Sequence, residues 1–342
     1  MPLGSNKAGL LGAAAAAGGG DRGLYCGGYR YTGASYNKAI DYITISSTGN
    51  AADFGDQTDL DGGWNGCVNG TDGDRAVWNN SNDPINHEYT YVTVSTLGDA
   101  ADFGNMNQII GGAGAASNGS NDRGVWAGGR APNNDPVDAD FIEYITISST
   151  GDGTDFGDLL NGRSNTRHGV ASNGTDERMI IAGGEGGSAG SGHQCSDDIE
   201  YLTISSTGNA IDFGNVSVFL TGGGCCSNDT SDRMVYGGGS LYSSPGNSVT
   251  DHSNNTMYYL TITSLGDTSD FGDLSVGRVE DTSMSNGVDD RGIWAGGTIK
   301  NGAWADSDVI DYVTISSTGN ATDFGDCVLS GVRTGGTSNS QA

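Results

Sequence analysis

The chain has 342 residues and a net charge of 15 − 42 = −27; it carries 60 Gly and 36 Asp, whereas Lys, Glu and Gln together number only 13. Those three are the common surface helix formers and Gly and Asp are turn residues, so a helical protein is excluded and short strands joined by tight turns are expected. A field this negative repels phosphates and anionic headgroups, which argues against nucleic acid and membrane surfaces as partners.

Residues 1–20 end in Ala13-Ala14-Ala15-Ala16-Ala17-Gly18-Gly19-Gly20 and have too little apolar bulk for a core of their own. Ala8 to Ala17 contains only two Leu and is read as an uncleaved segment rather than a signal peptide. No stretch approaches the roughly 18 apolar residues of a membrane helix, so membrane insertion is not expected. Small side chains allow close backbone approach, and this segment is expected to be an anchoring arm of a homo- or hetero-oligomeric assembly.

From residue 21 to 342 one unit recurs six times. Asp-Phe-Gly is found around Phe54, Phe103, Phe156, Phe213, Phe271 and Phe324, at spacings of 49, 53, 57, 58 and 53 residues. Twelve residues before each Phe stands a Tyr (Tyr42, Tyr91, Tyr144, Tyr201, Tyr259 and Tyr312), and five before it a Gly. The intervening alternation, as in Ile40-Asp41-Tyr42-Ile43-Thr44-Ile45, predicts a strand. The Gly is expected to supply the positive φ of a hairpin turn, and Asp-Phe-Gly to open the returning strand. Each unit starts with an acid and an Arg (Arg22, Arg75, Arg123, Arg178, Arg233 and Arg291), followed by a short apolar run. The approximate repeats are 21–71, 72–120, 121–175, 176–230, 231–288 and 289–342.

The spacing predicts four strands per unit: a (such as 168–173), b (178–182), c (199–205) and d (around Phe213). Phe to the next Arg is 20 to 22 residues, whereas Arg to the Phe of the same unit ranges from 28 to 38, so length variation is confined to the b–c connection. A period near 50 with four strands is that of a six-bladed β-propeller, whose b–c and d–a connections emerge on one face. Thr334 to Ser340 reads as strand a of the first unit, closing the ring.

The signature of an apolar run, Gly-Gly, a later Tyr and a downstream Arg is carried by Val125-Trp126-Ala127-Gly128-Gly129, Tyr144 and Arg163, and by Val235-Tyr236-Gly237-Gly238, Tyr259 and Arg278. In these features the chain resembles the kelch-type propeller family, with two departures: Asp-Phe-Gly replaces the usual kelch Trp, and Trp78-Asn79-Asn80 stands where the Gly pair of unit two belongs. The phrase Tyr-Ile-Thr-Ile-Ser-Ser-Thr-Gly-Asn-Ala-Thr-Asp-Phe-Gly-Asp is similar to repeats of marine bacteriophage virion proteins. That resemblance implies a virion location and virion subunits as partners, contacted through residues 1–20.

A residue required in every unit answers a demand of the fold, so the repeated Phe, Tyr and Arg are expected to be structural. Each Arg is expected to pair with the Asp of Asp-Phe-Gly. No catalytic constellation is found: Asp-Phe-Gly lacks the other kinase motifs, and Gly186-Gly187-Ser188-Ala189-Gly190 with His193 lacks the strand–turn–helix context of a hydrolase nucleophile. Asp56, Asp59 and Asp61 beside Gly62 offer oxygen ligands for Ca2+ but no terminal bidentate Glu, so solvated turn acids and no cofactor are expected. The six Cys form no C-x-x-C pair; buried free thiols are expected, with a Cys195 bridge to Cys225 or Cys226 as the alternative. Tyr29, Tyr31, Tyr36, Tyr242 and Trp304 fall in variable loops, where aromatic rings can stack on sugars. The expected function is a non-enzymatic structural or adhesive protein of a phage particle, a tail or capsid-surface component whose loop face contacts host-surface glycans or neighbouring virion subunits; the alternatives are a secreted or surface carbohydrate-binding propeller of a bacterium and, after it, a glycan-processing enzyme.

Overall fold

The structure is a computed structural model that describes residues 21–58, 66–69, 74–82, 86–108, 111–118, 122–129, 140–164, 169–173, 177–186, 194–228, 232–243, 249–287, 290–331 and 335–338. The anchoring arm, Asp59, Asp61, Gly62, Ser188, His168 and His193 lie outside the described residues. The fold is all-β and propeller-like, with no α-helix among the described residues and six four-stranded antiparallel sheets. In unit four the strands are Val170–Asn173, Arg178–Ala182, Asp198–Thr203 and Ile211–Asn215, side by side in that order. The first sheet takes its strand a from the C-terminal region: Gly336–Ser338 pairs with Arg22–Arg30, Gly23 opposite Ser338 and Tyr25 opposite Gly336.

The apolar core is divided among the spaces between successive sheets. Ile180, Ile199 and Phe213 of unit four meet Met234, Tyr236 and Leu260 of unit five, and the other five clusters join neighbouring units in the same way. Each repeated Phe is 2–3 % exposed, and burial of each contributes roughly 1.5–3 kcal/mol. Its ring meets the repeated Tyr edge-on in all six units, with centroids 5.9–6.2 Å apart and planes at 73–79°, the arrangement favoured by ring quadrupoles.

The repeated Arg does not pair with the Asp of Asp-Phe-Gly. Its guanidinium lies over the Tyr of its own unit, 4.3–4.8 Å from the centroid, and donates to a backbone carbonyl of the next unit at 2.6–3.1 Å. The acceptors run from Val94 to Ile315, and Arg291 of unit six donates to Ile45 of unit one. Meanwhile Asp53, Asp102, Asp155, Asp212, Asp270 and Asp323 are exposed. A cation half-covered by neighbouring sheets is held by a π face and a carbonyl, both of which cost less to desolvate than a carboxylate. The acid before the Arg serves its own turn and the preceding unit: Asp122, Asp232 and Asp290 adopt left-handed φ of 53–59° in the a–b turn, and Asp232 and Asp290 accept the side-chain amides of Asn173 and Asn228 from the unit before. Their carboxylates accept the backbone N–H of Ser148, Thr263 and Ser316.

Asp-Phe-Gly marks the unit-to-unit junction. The Phe carbonyl accepts the N–H of the turn glycine of the next unit at 2.8–3.1 Å, through all six units and from Gly49 back to Phe324. Beside it, the side chain of the residue after that glycine (Asn50, Asp99, Asp152, Asn209, Asp267 or Asn320) accepts an N–H from strand d. The outer edge of every sheet is thus partly covered by the next unit, the protection an unpaired strand edge requires. The turn glycines serve this contact rather than the left-handed turn expected: only Gly98 and Gly266 have positive φ, 159° and 153°, close to extended backbone. The glycine of Asp-Phe-Gly is required for close approach, because a Cβ at Gly157 would collide with the Gly208 carbonyl. Gly157→Ala should therefore lower the unfolding free energy by about 1–3 kcal/mol through overpacking, read as a reduced urea midpoint at unchanged slope.

In unit two, Trp78-Asn79-Asn80 continues strand b into a long hairpin, Arg75–Asn82 with Asn86–Thr93. Buried Asn79 accepts the Gly66 N–H at 2.6 Å and buried Asn80 donates to Thr90 Oγ1 at 3.1 Å. None of the six Cys forms a disulfide and all are buried, so the Cys195 bridge is not formed; burial raises the Cys67, Cys195, Cys225 and Cys226 thiols well above the usual range.

Candidate functional site

The b–c connections and the d–a connections that precede them come together. Arg163–Ser164 pairs with Glu185–Gly186, and Phe219–Thr221 with Ser240–Tyr242, each uniting the end of one unit with the b–c hairpin of the next. This places both kinds of connection on one side, as the spacing predicts.

Four of the five aromatic residues singled out in the sequence converge there. Tyr29 on Arg22–Arg30 and Tyr36 on Ser35–Thr44 face each other across the unit-one hairpin, their centroids 5.1 Å apart. Tyr31, in the turn, is 5.2 Å from Tyr29 and stacks on Trp304 of unit six at 5.7 Å and 15°. Trp304 sits on the hairpin Thr298–Asn301 and Ala303–Asp306 opposite Lys300, whose ammonium lies 4.8 Å over the indole. His252 of unit five meets the same indole edge-on at 5.6 Å. The two hairpins are tied by Asp306, whose two carboxylate oxygens accept the N–H groups of Tyr31 and Thr32 at 2.9 Å each. Tyr36 is 51 % exposed and the other rings are half-buried. Tyr242 stands on a separate hairpin, where burial and the neighbouring Glu185 carboxylate raise its hydroxyl pKa; no ring contact joins it to the cluster.

Chemically, this surface offers large apolar faces, phenolic hydroxyls and a cation, fixed by a carboxylate clamp. That is what a ring-shaped polyol needs, since its C–H face stacks on aromatics while its hydroxyls find polar partners. Among the described residues no group of three or more His, Cys, Asp and Glu could hold a metal ion. Asp56, one of the acids weighed for Ca2+, lies 3.3 Å from Lys38 in an exposed pair.

Two further arrangements escaped the sequence reading. On strand a, one polar residue per sheet links to the preceding sheet. Ser172, Ser227, Ser285 and Ser338 each donate a hydroxyl hydrogen to the equivalent carbonyl, Asn69 Nδ2 donates to the Ser338 carbonyl, and Ser117 donates to Asn69 Oδ1. These strands line a cavity of about 110 Å³, with Cys67, Cys225, Cys226 and Met284 beside the hydroxyls. Its serine hydroxyls are engaged by carbonyls, its thiols are held protonated by burial, and no charged side chain lines it.

The second arrangement is the residue before each repeated Tyr, which is buried in every unit: Asp41, Thr90, Glu143, Glu200, Tyr258 and Asp311. Glu200 bonds to Arg163, which also donates to the carbonyls of Gly183 and Asp198. Asp311 is 2.8 Å from Arg278. Glu143 accepts from the Tyr89 hydroxyl and, at 2.9 Å, from the Asn107 N–H. The Arg seven residues after the repeated Phe of units three and five is thus a buried counter-ion reaching into the next unit.

Comparison with known proteins finds no matching family model and no matching curated protein.

Proposed function

We propose that the six sheets are the blades of a closed, kelch-type β-propeller that binds glycans without catalysis, as an adhesive subunit of a bacteriophage particle. The observation that carries the binding reading is the aromatic surface of Tyr29, Tyr31, Tyr36 and Trp304, built from b–c loops of units one and six and held by Asp306. Ring closure is supported by the junctions that return from unit six to unit one, Gly49 to Phe324 and Arg291 to Ile45. The virion setting rests on the resemblance of the repeat phrase to phage virion repeats, and in it residues 1–20 are the anchor to other subunits.

Binding to a glycan array should reveal ligands whose affinity falls roughly tenfold in Trp304→Ala or Tyr36→Ala, the loss of about 1–2 kcal/mol expected for one stacking ring. The thermal midpoint of Tyr36→Ala should be unchanged, because that ring is largely exposed. A wild-type array without hits, or variants that bind as well as wild type, would refute the adhesive role. Deleting residues 1–20 should leave a folded propeller that no longer enters particles; unchanged incorporation would remove the anchoring role.

A further inference from the structure

The buried acids before the repeated Tyr show what the space beside them is built to hold. In units four and six it is filled by a guanidinium from the preceding unit, seven residues after that unit's Phe: Arg163 against Glu200, and Arg278 against Asp311. Arg278 also donates to the carbonyls of Val309 at 2.8 Å and Trp294 at 3.2 Å. Glu143 meets no such Arg, but the Tyr89 hydroxyl and the Asn107 N–H satisfy it.

Asp41 of unit one is the remaining acid at this position. It is 3 % exposed and its Oδ1 has no hydrogen-bond partner. Seven residues after Phe324, the place of the Arg is taken by Gly331, which has no side chain. A cavity of about 20 Å³ stands there, lined by Tyr25, Gly27, Ala39, Asp41, Cys327 and Gly331 among others. By repeat position Ala39 and Tyr25 correspond to Val309 and Trp294, whose carbonyls hold Arg278. The Tyr25 hydroxyl is buried as well. It lies beside the Cys327 thiol and the Val328 backbone, yet makes no hydrogen bond of ordinary geometry with either.

We propose that this cavity is a monovalent-cation site that takes Na+, with the Asp41 carboxylate as its charged ligand and the Tyr25 hydroxyl as a second oxygen. The volume suits one water-sized group. A single carboxylate balances one positive charge, whereas a divalent ion calls for more oxygen ligands of higher charge. The site lies where units six and one meet, so the ion replaces the guanidinium that braces the equivalent junctions.

The test is thermal unfolding of the full chain in NaCl against tetramethylammonium chloride at equal ionic strength. Wild type should melt roughly 2–4 °C higher in NaCl, because an ion bound only by the folded state raises the midpoint by mass action. Asp41→Asn should melt alike in both salts, and Tyr25→Phe should show a reduced difference. Sodium-23 relaxation should be enhanced by wild type and not by Asp41→Asn, which reads binding without reference to stability. Equal wild-type midpoints without enhanced relaxation, or a sodium shift retained in Asp41→Asn, would overturn the site. Arg333, outside the described residues, follows Gly331 by two positions. A sodium shift seen only in Arg333→Met would mean that the chain supplies its own cation, and would overturn it equally.

Discussion

Replacing Arg278 with Met should lower the unfolding free energy by about 3–5 kcal/mol, the cost of leaving buried carboxylates without their cation. Arg278, Asp281 and Asp311 are all 0 % exposed. The guanidinium serves both acids, Nε standing 3.4 Å from Asp281 and an Nη 2.8 Å from Asp311. The carboxylates are otherwise well held: Asp281 accepts the Gly224 N–H at 3.0 Å, and Asp311 accepts the Ser275 hydroxyl at 2.6 Å. They therefore cannot turn away to solvent when the cation is removed. Met fills most of the space of the Arg stem, so the loss is electrostatic rather than a cavity effect. Urea denaturation measures it, and adding Asp281→Asn and Asp311→Asn to the Met variant should recover more than half of the loss. Lys38→Met, which breaks the half-exposed pair with Asp56, should leave the midpoint unmoved. A similar small effect for Arg278→Met would mean that water reaches the cluster.

Stability should rise as pH falls from 8 to 5, the reverse of the usual behaviour of paired acids. Burial pushes the Asp41 carboxyl up to about 7, with Asp53 adding to the effect. Burial pushes Asp281 up to about 7 against the opposing pull of Arg278, as expected when one guanidinium faces two carboxylates. Glu143 is raised by burial too. Each folded-state pKa exceeds the unfolded value near 4, so the folded chain binds more protons between pH 4 and 7. The resulting stabilisation is complete below about pH 4 and is lost as pH rises through about 7. Over pH 8 to 5 the gain should be roughly 3 kcal/mol, discounted from the full linkage because Asp281 shares its guanidinium. Reduced self-repulsion of a chain at −27 acts in the same direction. Urea midpoints in sodium-free buffer would show it, and Asp41→Asn should flatten part of the slope. A midpoint that falls with acidification would contradict the placement of these acids.

The repeat was legible because its demands are identical in every unit: a Phe for the inter-sheet core, a Tyr to meet its edge, an Arg to cover the Tyr. The partner of that Arg was misread for a physical reason. A sequence shows opposite charges readily but shows neither ring faces nor carbonyls, and here Arg123 uses Tyr144 and the Ile204 carbonyl. The position before the repeated Tyr was hidden because its chemistry changes from Asp41 to Thr90 to Tyr258 while its burial does not. The Ser117, Ser172 and Ser227 ladder lies in stretches of small residues with no periodic signal of their own. Of the aromatic residues in variable loops, Tyr29, Tyr31, Tyr36 and Trp304 converge because their hairpins are neighbours, whereas Tyr242 turns toward Glu185.

The six Asp-Phe-Gly junctions are made from main-chain atoms and short Asx side chains, and they lie at the a–b and c–d ends of the sheets, away from the b–c hairpins. A foreign segment spliced between Thr298 and Asp306 would leave each of those junctions untouched. The same division lets new recognition surfaces accumulate by insertion and deletion while the framework drifts little, so related chains should differ most in their hairpins and least in the spacing from Tyr to Phe.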